Sequence, residues 1–210
     1  QQQNYLPGVP EGSDLCITPV SSPENHYVRI KADNRLEADG TLRGTFTLTA
    51  EGQSDSNIRR IFTTGFQSEW KSTMERQPLT ISPKARLLSV DYGKNPKDYQ
   101  AAPIKITFRY EIPDYALKGE GEMFFRPMVM NNLYNQVRSY LRIDTSVENR
   151  KYGFKDGCSR LVELDEMIQL PAGYKLVNAA KNEMMQGVGA DFEGSLTQKG
   201  NKVLLHNRLA

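Results

Sequence analysis

The 210-residue chain has only two cysteines, two histidines and one tryptophan, and no apolar run approaches the roughly twenty residues that cross a bilayer. Each scarcity closes off a class of function. Two cysteines, Cys16 and Cys158, make neither a disulfide framework nor a metal centre, so cysteine usage leaves the redox compartment open. A single Cys16–Cys158 bridge would close a long loop and add about 4–5 kcal/mol in a chain-entropy description. Two separate buried thiols are the alternative. With His26 and His206 as the sole imidazoles, a nucleophile has few bases to activate it. Cys16 lies in the strand-like Leu15-Cys16-Ile17-Thr18-Pro19 and Cys158 in the turn Asp156-Gly157-Cys158-Ser159, and neither is a helix start that would lower a thiol pKa. Only the spacing of Cys158, His206 and Asp191 leaves room for a catalytic triad.

Charge of one sign is also missing. The net charge is +2, and no third of the chain departs from balance by more than three charges, so a nucleic-acid footprint or a polybasic membrane patch is not expected. No calcium-loop pattern occurs, and Gly187-Val188-Gly189 lacks both the third glycine and the strand-to-helix setting of a phosphate loop. No cofactor and no metal are expected. Gln1-Gln2-Gln3-Asn4-Tyr5-Leu6-Pro7-Gly8 has neither the basic end nor the apolar stretch of a signal peptide, so any export signal is expected outside these residues.

What is present reads as a mainly β chain, α+β at most, with antiparallel, sandwich-like sheets. Ten tyrosines and eight phenylalanines among 38% apolar residues supply a core. Six prolines and glycines punctuate residues 1–25, which suits an extended linker from something upstream. Residues 26–130 are expected to form a first β-domain. Strand-like runs 27–36 and 41–50 flank Asp39-Gly40, a tight-turn pair, and further strands are expected at 85–92, 104–112 and 121–128. One amphipathic helix is expected over 55–76, packed on the first sheet. It is capped by Ser54 or Asp55, carries the apolar stripe Ile58, Ile61, Phe62, Phe66, Trp70 and Met74, and ends by Pro78. Residues 131–210 are expected to form a second, smaller antiparallel domain with strands at 159–170, 174–179, 191–198 and 203–209. Pro171-Ala172-Gly173 and Gly200-Asn201 serve as turns. The last strand reaches Ala210 without a closing loop, which suggests that the chain continues.

Two clusters remain. Glu163, Asp165 and Glu166 are expected on a strand with the first two sharing a face and Glu166 pointing away, which reads as a solvated edge guarded against aggregation, the alternative being an acid/base pair. Tyr134, Arg138, Tyr140, Arg142 and Tyr152, with Arg150 and Lys151, mix cations and aromatic rings. They form either an interaction surface that stacks bases or sugar rings, or a connector whose tyrosines pack while its cations stay in water.

The order of these features resembles the region that follows the catalytic core in bacterial transglutaminase-like proteins, relatives of the papain-like peptidases. The resemblance rests on Tyr5-Leu6-Pro7-Gly8-Val9-Pro10-Glu11-Gly12, on Glu37-Ala38-Asp39-Gly40-Thr41-Leu42-Arg43-Gly44, on the helix ending near Trp70, on Ile112-Pro113-Asp114-Tyr115-Ala116 and on Ile168-Gln169-Leu170-Pro171-Ala172-Gly173-Tyr174. It implies C-terminal β-domains of an exported Gram-negative protein, periplasmic or at the cell surface, whose Cys-His-Asp triad lies in an upstream core. No catalytic residue carries over to this sequence. The expected function is therefore a non-catalytic accessory module whose partner is the upstream domain, the rival being an independent module that binds a glycan or a peptide.

Overall fold

The computed structural model describes residues 3–100, 103–130, 151, 158–177 and 181–210. In chain order the strands and helices are β1 (Asn4–Tyr5), β2 (Cys16–Ile17), β3 (Tyr27–Leu36), β4 (Leu42–Ala50), α1 (Gln53–Thr64), α2 (Trp70–Ile81), β5 (Arg86–Asp91), β6 (Ile104–Ile112), β7 (Leu117–Lys118), β8 (Met123–Phe124), β9 (Leu161–Gln169), β10 (Glu183–Gln186), β11 (Asp191–Lys199) and β12 (Lys202–Leu209). Strand outweighs helix, and the chain is mainly β.

Period-two alternation decides the architecture. Val28, Ile30, Ala32 and Leu36 of β3 face the same side as Leu42, Phe46 and Ala50 of β4 and Ile104, Ile106, Phe108, Tyr110 and Ile112 of β6, and all are buried. The opposite side carries Arg29, Lys31, Asp33, Arg35, Thr45, Thr47, Thr49, Lys105 and Arg109, residues that remain hydrated. Eight strands pair in the order β10-β11-β12-β9-β3-β4-β6-β5, and α1 lies on β3, β4 and β6 while α2 lies against β5. The layering is thus helices and loops on one face of a single mixed sheet, where sheet-on-sheet packing was the expectation.

The two stretches read from sequence as separate domains meet inside that sheet. β3 and β9 pair in parallel from Tyr27↔Leu161 to Arg35↔Gln169, and one hydrophobic cluster runs from Val28 to Leu205. A parallel pair needs a long crossover, so periodicity within either stretch carries no sign of it. β9 is consequently a central strand with β12 on its other side, and the solvated edge expected for Glu163, Asp165 and Glu166 is not there. Among the described residues the sheet ends at β10 and β5.

The single helix expected over 55–76 is two. α1 ends before Gly65, a short 3-10 turn follows at Gln67–Glu69, and α2 starts at Trp70. Phe66 is 77% exposed at the break, whereas Phe62, Trp70 and Met74 are buried. The three- and four-residue spacing continues across Gly65 because two helices on the same surface keep a common apolar phase. Phe62, Trp70 and Tyr92 meet edge to face with centroids 5.1–5.8 Å apart. α2 then runs through Pro78, which supplies no N–H and sits in the last turn, where its carbonyl accepts the Ser82 N–H. Neither Ser54 nor Asp55 caps α1. The ring Nδ1 of His26 accepts the Gln53 N–H at 3.1 Å, Ser54 Oγ donates to the His26 carbonyl, and Asp55 is used elsewhere.

Most strands fall where alternation placed them. The exceptions are 121–128, of which only Met123–Phe124 is a strand, and 174–177, which lies outside any strand; the remainder of the expected 174–179 run, 178–179, falls outside the described residues. β10 escaped notice because four exposed residues show no alternation, and β1 and β2 lie within what read as linker.

Candidate docking surface

Residues 3–20 fold into an arm rather than a loose tether. Asn4 and Tyr5 pair with Ile17 and Cys16, Thr18 N–H donates to the Gln3 carbonyl, and Gln3 N–H donates to Thr18 Oγ1 at 2.8 Å. The arm joins the body at residues 21–26, where Ser159 Oγ donates to the Ser21 carbonyl and Arg208 pairs with Glu24 at 3.2 Å. Two strands of two residues bury almost nothing. Tyr5, Leu6, Val9, Leu15, Ile17 and Val20 are all exposed, with Leu6 at 68% and Ile17 at 64%. Six uncovered large apolar side chains on one short arm exceed the scattering normal for a hydrated surface.

A second apolar feature lies on the covered face. A groove of about 840 Å³ opens between residues 121–127 and 170–177, with Leu36, Phe125, Leu176, Leu196 and Val203 in its walls. The sheet continues past it to β10, where Met184 and Met185 are exposed on a strand paired on one side only, to β11.

The residues singled out from sequence fall in different places. Cys16 and Cys158 are not bridged. Cys16 Sγ points to the Asp14 carbonyl and Cys158, buried, points to the Ser159 carbonyl. His26 is committed to the start of α1. His206 Nδ1 lies 2.7 Å from Asp165 Oδ1 on the hydrated face, and Asp191 pairs by its backbone with Ala210. The spacing that allowed Cys158, His206 and Asp191 as a triad is therefore not realised as contact. Tyr134, Arg138, Tyr140, Arg142 and Tyr152 lie outside the described residues. Among the described residues no cluster of three or more His, Cys, Asp or Glu is placed to hold a metal ion, and no helix is long and apolar enough to cross a membrane.

Among the described residues the exposed aromatic rings are dispersed over separate elements: Tyr5 on the arm, Phe66 at the α1–α2 break, Tyr99 in a loop and Phe124 on β8. The hydrated sheet face offers an ion-pair lattice instead. Arg29 lies over the Tyr27 ring at 4.1 Å and pairs with Glu163, which Arg208 also approaches at 4.0 Å.

Two polar groups are buried with partners that the sequence did not reveal. The Arg59 guanidinium, on a side chain 2% exposed, donates to Asp55 at 2.7 Å and to the carbonyls of Pro96 and Asp98. Asp55 in turn accepts the Ile104 N–H, so one ion pair fastens α1 to the loop before β6 and to β6 itself. Glu166 accepts Asn34 Nδ2 at 2.7 Å and the Val129 N–H at 3.0 Å, while Tyr110 Oη donates to Asn34 Oδ1 at 2.5 Å. Parity sets Glu166 apart from Glu163 and Asp165, and Leu164 and Ile168 flank it on the buried side of β9. Comparison with protein-family models, with curated proteins and with solved structures found no match.

Proposed function

We propose that the chain is a non-catalytic accessory module that docks through its apolar arm onto an upstream transglutaminase-like domain of the same protein. The observation that carries this reading is the uncovered set Tyr5, Leu6, Val9, Leu15, Ile17 and Val20, on a segment whose sequence resembles the exit from such a core. Covering six such side chains would contribute several kcal/mol at about 25 cal/mol per Å² of apolar area, enough to hold two folded units together. The proposed site in an exported Gram-negative protein rests on the same resemblance.

The geometry of the thiols supports a structural role. A cysteine nucleophile needs an imidazole within hydrogen-bond reach, and here His26 is turned to Gln53 and His206 to Asp165. Amide-hydrolysing and acyl-transfer assays on the purified chain are expected to give no turnover. Turnover abolished by Cys16→Ser or Cys158→Ser would contradict the reading.

Peptide capture is the second reading, favoured by the uncovered margin at β10, where an extended segment can add as a ninth strand. The two are separated by titrating the upstream domain against the chain and against Leu6→Ser/Ile17→Ser. Docking through the arm predicts binding that the double substitution weakens at least about tenfold, a loss of about 1.4 kcal/mol. Binding indifferent to that change, or none at all, overturns it.

A further inference from the structure

The arm meets the sheet through the 3-10 turn Pro23–His26, which packs against α1 on one side and β9 on the other. None of the four residues is buried, so polar bonds rather than apolar contact hold the turn in place. The turn is also bonded within itself. The Asn25 N–H donates to the Ser22 carbonyl, Asn25 Nδ2 donates to Ser21 Oγ, and Ser22 Oγ donates to the Glu24 carboxylate. Residues 21–26 therefore move as one piece, and the arm moves with them.

The two sides are tied differently. Toward β9 and β12, the Ser159 hydroxyl donates to the Ser21 carbonyl and Arg208 pairs with Glu24 at 3.2 Å. Toward α1 the bonds run through His26, whose Nδ1 accepts the Gln53 N–H at 3.1 Å and whose carbonyl accepts Ser54 Oγ at 3.1 Å. The fit on this side is close. Gly52 has φ +62°, and a Cβ there would collide with His26 Nδ1 and with the Asn25 carbonyl oxygen, so turn and ring rest on bare backbone.

A nitrogen that accepts a backbone N–H carries no proton. Protonating His26 Nδ1 would turn it into a donor facing a donor, and would set a cation at the positive end of the α1 dipole. Rotating the ring offers no escape, because both nitrogens of an imidazolium donate. The charges around the ring are of both signs: beyond burial, the amino terminus and Arg160 act against the proton and Glu51 acts for it. Together they hold the His26 pKa below 6.5. Glu24, in the same turn, is held below the usual carboxyl range by the Ser22 hydroxyl and by Arg208, so its tie to Arg208 stays ionised while His26 titrates.

We propose that this turn is a proton-operated hinge for the arm: it is seated on α1 while His26 Nδ1 is bare, and a proton on that nitrogen lifts it from Gly52, so that the arm swings on the ties to Ser159 and Arg208. The hinge acts in the isolated chain and does not depend on what the arm docks onto. Its sign follows from linkage. Seating lowers the affinity of His26 for its proton, so the seated form is favoured above pH 6.5 and is lost as pH falls through the lower, seated value.

Two readouts on the full chain test this. The first is hydrogen exchange at the Gln53 N–H, read as a protection factor so that the intrinsic pH dependence of exchange cancels. Its protection is expected to fall by up to about tenfold per pH unit between pH 6.5 and the His26 pKa, the latter read from the ring-proton shifts of His26 itself, while Phe108 in the middle of β6 is unchanged. The second is the anisotropy of a dye on Cys16 in Cys158→Ser, which is expected to fall over the same range as the arm is released. In His26→Gln, which keeps an acceptor that does not titrate, both readouts are expected to be level. Gln53 protection that stays constant down to pH 5, that falls together with that of Phe108, or a dye anisotropy that does not follow His26, overturns the proposal. The wild-type titration decides even if His26→Gln does not fold.

Discussion

Single side chains fix how the loops of this molecule are held to its sheet. Arg59→Met keeps the bulk but strands the Asp55 carboxylate and the Pro96 and Asp98 carbonyls, and removing one partner of a buried pair typically costs 3–5 kcal/mol. Urea denaturation is expected to show a loss of about 3 kcal/mol or more, and a change under about 1 kcal/mol would mean the pair is hydrated. His26 behaves differently because its Nδ1 must stay unprotonated to accept the Gln53 N–H. Burial, with Arg160 adding to it, holds the His26 pKa below the ordinary 6.5. A depressed histidine stabilises the fold above its unfolded pKa, and the contribution is lost as pH falls through the lower, folded value. The melting temperature of wild type relative to His26→Gln, which keeps an acceptor that does not titrate, is expected to drop below pH 6.5. A difference that stays constant down to pH 5 would exclude this capping role. Neither Arg59 nor His26 was legible beforehand, since an arginine in an i, i+4 pair and a histidine before a strand look alike whether wet or buried.

At the scale of elements, the strands were read almost to the residue wherever one face is buried and the other wet. β3, β4, β6 and β12 alternate cleanly, and a one-residue slip would turn every apolar side chain to water. The β3–β4 hairpin also follows from its turn chemistry. Glu37 and Thr41 close the loop by their backbones, Asp39 Oδ1 accepts the Thr41 N–H, and Gly40 has φ +89°. A Cβ at Gly40 would meet the Ala116 carbonyl oxygen at 2.9 Å, so Gly40→Ala combines a strained backbone with a close approach. It is expected to lower stability by about 1–3 kcal/mol in thermal or urea unfolding, and Gly8→Ala on the exposed arm, where nothing lies within 4 Å, to change it by less than about 0.5 kcal/mol. Equal effects at the two sites would show that the turn is not constrained. The helices were read less well, because apolar phase persists across Gly65 and periodicity cannot register a break between two segments on the same surface. β10 and the arm strands have two to four residues each and no buried face, so they carry no alternation and only their backbone pairing defines them.

For the whole molecule, the decisive feature invisible in the sequence was the parallel β3–β9 contact, which turns two stretches of antiparallel strands into one eight-stranded sheet with one core. Because that core is shared, unfolding is expected to be a single transition, with Trp70 fluorescence on one side of the sheet and far-ultraviolet circular dichroism reporting the same midpoint. Two resolved midpoints would restore the separate domains that the sequence reading placed at 26–130 and 131–210. The candidate surface was not legible beforehand: residues 1–25 read as an extended linker, and whether their apolar side chains pack inward or remain uncovered required coordinates. Their exposure is what gives the docking role its physical basis. Calorimetric titration of the proposed upstream transglutaminase-like domain with the wild-type chain and with Leu6→Ser/Ile17→Ser tests that proposal most directly. The docking role predicts saturable binding that the two serines weaken at least about tenfold while the melting temperature of the isolated chain stays within a degree or two; equal affinity for both chains, or no heat from either, contradicts it.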